Sequence, residues 1–500
     1  MVLARTGAVD EAWRLFGQSS LAASDEPAAL TLKGRLLKDR ARALQGPARR
    51  ALFAEAARAY RLAAQRGQSA YALINAATLS LLAGEAESAR ASAVAALEAR
   101  DNDTPYYQEA TRAEALLVLG RRDEAQAALD RAVALAPRAW EDHAVTLRQF
   151  RLILAELGQP DAWLSVLAPP RALHFTGHMA LSPDDKLADQ IAAALVEEKA
   201  AFGYGAVAAG ADILIAEALA EAGAALHVVL PTNAEVFRER SVRPWGEAWV
   251  TRYDRLLELA DSVQTTAPDL TRVSPAAIAL ADETAMGMAV LRAASLTGEA
   301  LQLALLDPER PDASGAAAAR WRETGRRQRL VPVRRLPSTP VDDASSAPPL
   351  VPTAFLGCAL DLPLERDPTE LLRRLSEAIG EAPAPCVAPA WSGRDLLLGY
   401  ATPAEAARAA IALRGALGPA ARLAGAYGLA QRTLNPLGPG GLAIGRGPKV
   451  VSAYLDVTPP GAVYLDLPFA AGLALDANAG PVGKIMNLTG DALGPYALTP

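Results

Sequence analysis

The sequence predicts three folded parts in series: an all-α region of packed helices, an α/β region on a parallel sheet, and an α+β region. Three observations carry this. Residues 1–167 are rich in Ala, Leu, Arg and Glu, with Gly at the breaks. Residues 168–330 alternate short apolar runs with helical spacing, the pattern of strands joined by helical crossovers. Residues 353–500 mix strand-like runs and helices in an order that fits a two-layer sandwich. Between the last two lies 331–352, VPVRRLPSTPVDDASSAPPLVP, whose Pro and Ser content predicts a stiff, extended linker.

Bulk composition agrees. A chain of 500 residues suggests about three domains of roughly 150 residues each. Hydrophobic residues make up 51% of it, enough for several cores. The formal net charge of −6 argues against a nucleic-acid partner, which calls for a basic face. The clustered Arg326, Arg327 and Arg329 do not change that balance. Cys358 and Cys386 form no CxxC pair, so neither a disulfide scaffold nor a thiolate metal site is expected. Acids at Asp10 and Glu11 come too early for a signal-peptide core, and the apolar stretches are too short to span a bilayer. The expectation is a cytoplasmic protein without membrane contact.

In the first region, Gly120 allows a turn, Ala125 and Ala132 let helices pack closely, Leu129 fills the gap, and Pro137 ends the helix. The pattern recurs one period earlier at Gly84, Ala89, Ala93 and Ala96. Fainter echoes fall at Gly7, Ala12 and Phe16, and at Ala56, Tyr60 and Ala63. A period of roughly 34 residues resembles tetratricopeptide repeats, which implies an unidentified protein partner on the concave face of the arm.

The second region opens with RALHFTGH, a strand ending in Thr176, Gly177 and His178. Then follow helical spacing, the run Gly203-YGAVAA-Gly210, extended through Ala208, a second helix and the strand ALHVVLP. Gly210 permits a tight turn, and Asp212 can cap the next helix. A strand–glycine–helix turn presents free amides and the positive end of a helix dipole, which suits a phosphate. Thr176, Gly177 and His178 lie on the same carboxyl edge as Gly210, Ala211 and Asp212, where open α/β sheets bind ligands. Glu217, five positions beyond Asp212, is a candidate for a ribose hydroxyl. His143 and His227 read as structural, and four scattered histidines offer no metal-ligand spacing. Trp249, Arg252 and Tyr253 read as a packing face. The block from HFTGHM through GADILIAEALAEAGAALHVVLP resembles the SLOG superfamily, which implies a Rossmann-like fold and a nucleotide-derived ligand. The PGGxGT turn of the family's Lonely Guy hydrolases is absent.

The third region resembles class III adenylate and guanylate cyclase domains, which implies a ferredoxin-like sandwich. The phrases are GRDLLLGYATPAEAARAAIALRGAL, RLAGAYGLAQ and DVTPPGAVYLDLPFAAGLAL. Cyclase chemistry needs two aspartates for two metal ions and an arginine at the transferring phosphorus. Those positions fall here on Ala359, Arg394 and Ala453, and a guanidinium at 394 repels a metal. Shifted use of Asp361 and Asp395 would restore the carboxylates but not the arginine. The resemblance implies a domain without catalytic residues, cofactor or metal, and pairing into a homodimer. The order of the parts resembles bacterial proteins with a TRAFs-binding or tetratricopeptide region.

The expectation is a non-enzymatic regulatory protein. The alternatives are a glycosidic hydrolase of nucleotides or NAD using Glu217, an active cyclase using Asp361 and Asp395, and a pure scaffold.

Overall fold

A computed structural model of the chain describes residues 9–42, 44–67, 69–99, 103–181, 186–310, 312–336, 349–360, 367–436, 441–476, 483–489 and 494–499. It contains two compact units, one of residues 1–169 with 295–297, the other of the remaining residues.

The first unit is all-helical: α1 (Val9–Gln18), α2 (Pro27–Ala41), α3 (Gly46–Gly67), α4 (Ala70–Ala83), α5 (Ala86–Glu98), α6 (Pro105–Val118), α7 (Arg122–Leu135) and α8 (Trp140–Leu157). The predicted repeat is visible in its turns. Gly84 and Gly120 both adopt left-handed backbone after α4 and α6. The next amide in each case reaches back to close the helix end, Glu85 to the Ser80 carbonyl and Arg121 to the Leu116 carbonyl, both at 2.9 Å. Ala89, Ala93, Ala125, Leu129 and Ala132 are buried, as are Ala12, Phe16, Ala56, Tyr60 and Ala63 of the fainter echoes. Gly7 lies outside the described residues. A buried polar junction ties alternate helices together: Thr78 of α4 and Gln149 of α8 both donate to the Glu114 carboxylate of α6, at 2.5 and 2.9 Å. Burial pushes the Glu114 carboxyl up.

The second unit holds two sheets. The first is six-stranded among the described residues, in the order β4-β3-β2-β1-β5-β6, with every pairing parallel. Its strands are β1 (Arg171–Gly177), β2 (Ala200–Gly205), β3 (Ala225–Leu230), β4 (Ser262–Thr265), β5 (Ala300–Leu306) and β6 (Arg327–Pro332). The connecting helices are α9 (Leu187–Glu197), α10 (Ala211–Glu221), the single turn α11 (Ala234–Phe237), α12 (Glu247–Leu259), α13 (Pro275–Leu296) and α14 (Ala313–Glu323). β1 and β5 run almost wholly buried, as strands covered on both faces must. Three findings differ from expectation. Strand β4 and strand β6 carry little apolar signal, because edge strands are half-exposed. β6 also runs to Pro332, into the segment expected as linker, and the following strand starts at Leu350, before that segment ends. The run expected to be extended through Ala208 leaves the sheet after Gly205.

The second sheet is mixed, in the order β13-β14-β12-β10-β7-β9-β8 with β11 beside β10. It comprises β7 (Leu350–Ala359), β8 (Val387–Ser392), β9 (Asp395–Tyr400), β10 (Arg422–Leu434), β11 (Gly441–Gly445), β12 (Val463–Leu465), β13 (Lys484–Asn487) and β14 (Tyr496–Thr499). Helices α15 (Thr369–Glu381), α16 (Pro403–Leu417), α17 (Gly447–Val457) and α18 (Leu467–Leu475) accompany it. Thr402 and Glu405 form a reciprocal capping box at the start of α16.

The two sheets are locked together through α13 and α18. At Gly287 the helices cross so closely that a Cβ there would lie 2.1 Å from the Ala471 carbonyl oxygen. One turn away, the Tyr427 hydroxyl donates to Glu283 at 3.1 Å. The Arg326 guanidinium caps the end of α18 through the Ala474 and Leu475 carbonyls, both at 3.1 Å. Small residues and a capped helix end make this a backbone-on-backbone junction. No described helix in either unit is long and apolar enough to cross a membrane.

Candidate functional site

Strand order reverses between β1 and β5: β2, β3 and β4 extend to one side, β5 and β6 to the other. Loops leave such a reversal in opposite directions and open a crevice at the carboxyl ends. Gly177 closes β1 opposite Leu305 of β5, and His178 follows, fully buried.

Loops from three strands converge on His178. Its Nδ1 lies 2.7 Å from Oδ2 of Asp312, in the loop after β5. Oδ1 of Asp312 accepts the Ser314 amide at 2.9 Å and the Gly315 amide at 3.4 Å, capping α14. The Ser314 hydroxyl donates to the Gly177 carbonyl at 2.9 Å. The Arg335 guanidinium, beyond β6, stands 3.4 Å from Asp312, and its backbone amide donates to Asp307 at 2.9 Å. Burial pushes the Asp312 carboxyl up, but His178, Arg335 and the capping amides outweigh it and hold it below the usual range. The Arg335 and Glu309 amides likewise hold Asp307 low.

The glycine turn lies against the same loop. Gly210 has φ +103°, and a Cβ there would sit 2.0 Å from the Met179 carbonyl oxygen. The backbone at 178–179 therefore passes directly over the turn. The Ala211 amide, the first of α10, donates to the His178 carbonyl at 3.1 Å. Asp212 accepts the Ala208 amide on Oδ2 at 3.3 Å, while its Oδ1 is buried without a partner. Burial pushes the Asp212 carboxyl well up, and the charge of Asp282 on α13 adds to it. Burial also pushes Asp282 up to about 7, with Asp312 contributing.

Of the residues read from the sequence, Gly177, His178, Gly210, Ala211 and Asp212 come together here. Thr176 is buried one step back in β1, opposite Ala304. Two expectations need correction. The turn at Gly210 is no open phosphate cradle, because the chain's own carbonyls occupy the space and the first amide. Glu217 does not face this crevice. Its carboxylate is paired with Arg252 of α12, 2.7 Å from Nε, and it borders a separate cavity of about 340 Å³ with Arg255 and Leu259. Arg252 in turn lies 4.2 Å over the Trp249 ring, which makes that group a packing face. Asp282, Asp307, Asp312 and Arg335 were missed. Asp312 alone carried a local signal, an Asp just before an Ala-rich helix that follows a strand.

His143 bonds the Ala136 carbonyl at 2.9 Å, and His227 bonds Ser262 at 2.8 Å and stacks on Tyr204. Both fill structural places. Among the described residues, no cluster of three His, Cys, Asp or Glu could hold a metal ion.

In the mixed sheet, Ala359 pairs with Asp395 across β7 and β9, and the Leu360 amide donates to the Arg394 carbonyl at 3.3 Å. Arg394 sits at the tip of the β8–β9 hairpin, next to Gly393, whose φ is +61°. α17 lies over β7, with Val451 and Leu455 against Gly357, and carries Ala453 on its exposed side. Asp361 lies outside the described residues.

Residues 1–80 match the family model of Tetratricopeptide Repeats-Sensor proteins. No curated protein matches the chain. Among solved structures, the chain is similar to adenylate cyclases from Trypanosoma brucei in their monomeric state, at 14% identity over 31% of this chain and 93% of that one, with a TM-score of 0.25. It is also similar to the dimeric guanylyl cyclase domain of a RhoGC fusion protein from the aquatic fungus Blastocladiella emersonii, at 11% identity over 30% and 96%, with a TM-score of 0.24.

Proposed function

We propose that this chain is a regulatory sensor that works without turnover. Its repeat arm binds a protein partner. A SLOG-like, Rossmann-like sheet receives a nucleotide-derived small molecule at the crevice beside β1, and a cyclase-like sheet takes up the change. The observation that supports this reading most is the pair Asp282 and Glu283. These neighbours on α13 serve different sides: the charge of Asp282 adds to the burial that raises the Asp212 carboxyl at the crevice, and Glu283 holds Tyr427 of the mixed sheet. A ligand that moves this turn of α13 therefore acts on both sheets. Loss of turnover in the mixed sheet is supported by Ala359, Arg394 and Ala453, read from the sequence at the positions where cyclase chemistry requires two aspartates and an arginine. Pairing of that sheet with a second copy is supported by Leu434, Leu442 and Ile444, exposed on the β10–β11 hairpin.

Thermal-shift measurement against ATP, GTP, NAD, ADP-ribose and cyclic nucleotides tests the sensing role. A ligand at 100 times its Kd stabilises its unit by about 2.7 kcal/mol. A saturable shift, with no cyclic nucleotide formed from ATP or GTP in manganese, is the expected result. Cyclic nucleotide formation would establish the cyclase alternative, and the absence of any shift would leave a scaffold.

A further inference from the structure

A groove of about 660 Å³ opens in the helical unit between α3, the end of α4 and α8. Its floor is apolar. Phe53 of α3 and Leu82 of α4 are buried there, and Leu152 of α8 packs half-buried against the same cluster. Its two walls differ in charge: Arg49 and Arg50 stand on α3, Glu156 on α8. The Arg49 guanidinium lies 5.2 Å from the centre of the Phe53 ring, which holds it at the edge of the apolar floor. Arg50 and Glu156 are exposed, and among the described residues neither they nor Arg49 have an ion-pair partner. Arginines elsewhere on the arm, such as Arg66, Arg121, Arg131 and Arg151, do hold carboxylates of the chain. The groove therefore presents an apolar floor with two unmatched positive charges on one side and one negative charge on the other.

We propose that this groove takes a short segment of a partner protein in which one apolar side chain is flanked by acidic residues. The apolar side chain covers Phe53, Leu82 and Leu152, and the acids face Arg49 and Arg50. Glu156 on the far wall fixes which side of the segment carries them. An apolar centre rimmed by charge is the arrangement of specific protein contacts, with the charges setting the choice of partner. The proposal rests on the partner-binding role given to the arm above, and names where on the arm the partner sits and by what chemistry it is chosen.

Fluorescence anisotropy on the full chain tests this, with labelled peptides that carry one leucine between pairs of acidic, amide or lysine residues. The acidic peptide should bind about fivefold tighter than the amide peptide, since an exposed ion pair is worth up to about fivefold in affinity, and the lysine peptide should bind most weakly. The preference should shrink as salt rises. Arg50→Glu should weaken the acidic peptide by roughly tenfold and put the lysine peptide ahead of it. Circular dichroism checks that the variant folds. If it does not, Glu156→Lys carries the test: it should tighten the acidic peptide about threefold, and unchanged affinity overturns the proposal. Equal affinity for the three peptides, no binding of any, or an unaltered preference in Arg50→Glu also overturns it. So does ATP that displaces the acidic peptide at a lower concentration than the unlabelled peptide does, because the arginines would then be a phosphate site. Pull-down from a lysate with the full chain and with Arg50→Glu separates the groove from the arm's wider role. A protein retained equally by both keeps the arm as a binding surface and overturns the groove as its site. If neither retains a protein and no peptide binds, the arm's binding role fails, and the proposal with it.

Discussion

Replacing Gly287 by alanine sets two effects of opposite sign against each other. Gly287 lies inside the 22-residue helix α13, where alanine gains about 1 kcal/mol over glycine in helix propensity. The added methyl would stand 2.1 Å from the Ala471 carbonyl oxygen and 2.3 Å from its carbon. The two helices must then part by about 1 Å, and overpacking of a core costs about 1–3 kcal/mol when side chains can adjust. Here both partners are backbone, so the cost falls at or above the top of that range. The net expectation is a loss of roughly 2 kcal/mol, felt where α13 meets α18. Gly415→Ala is the matched control: it too lies in a helix, with nothing within 4 Å of its Cβ position, so it should gain roughly 0.5–1 kcal/mol. Hydrogen exchange on peptides from α13 and α18 reads the difference, as a roughly 30-fold loss of protection in Gly287→Ala. If Gly287→Ala stabilises the chain as Gly415→Ala does, the backbone junction does not exist as described.

Three further outcomes are expected. Asp282 rises from 3.8 to about 7 in the fold, so the fold prefers its protonated form. Its contribution to stability is complete below pH 4 and is lost as pH rises through 7, by up to roughly 4 kcal/mol. Asp282→Asn, still facing Asp212 and Asp312, should flatten the fall in urea midpoint between pH 5 and pH 8, and an unaltered slope would contradict the burial of this carboxyl. Cys358 is buried and its thiol pushed up to about 12, whereas Cys386 is half-buried, so a disulfide-exchange reagent should titrate Cys386 well before Cys358; equal rates would be inconsistent with the packing of β7. Arg326→Gln removes the cap on the Ala474 and Leu475 carbonyls and should cost about 1.5–3 kcal/mol in calorimetry, with no change counting against that cap.

What could be read from the sequence was local. Strands β1 and β3 announced themselves because both of their faces are covered, so their apolar runs are nearly unbroken. Strands β4 and β6 stayed hidden because sheet edges need little apolar surface, and β6 even borrows two residues of the Pro-rich segment. At the crevice, Gly177, His178 and Gly210 were legible because turn chemistry is written in neighbouring residues, whereas Asp212 stands in the first turn of α10 without capping it. Asp282, Asp312 and Arg335 arrive from a helix and two loops far along the chain, and nothing in their own neighbourhoods states that they meet. Glu217 misled for a related reason. Five helical positions turn a side chain about 140° from Asp212, so proximity in sequence placed it near α12 instead of the crevice.

The crossing of α13 and α18 bears on how such a chain can be inherited. A boundary drawn through the Pro- and Ser-rich segment looks like a natural place to cut or recombine. Yet a C-terminal piece moved alone to another gene would carry a bare groove at Ala471 and Gly472, a tyrosine without its acceptor and a helix end without its cap. A new neighbour would have to supply a glycine at the same depth, an acid one turn before it and an arginine at the far end.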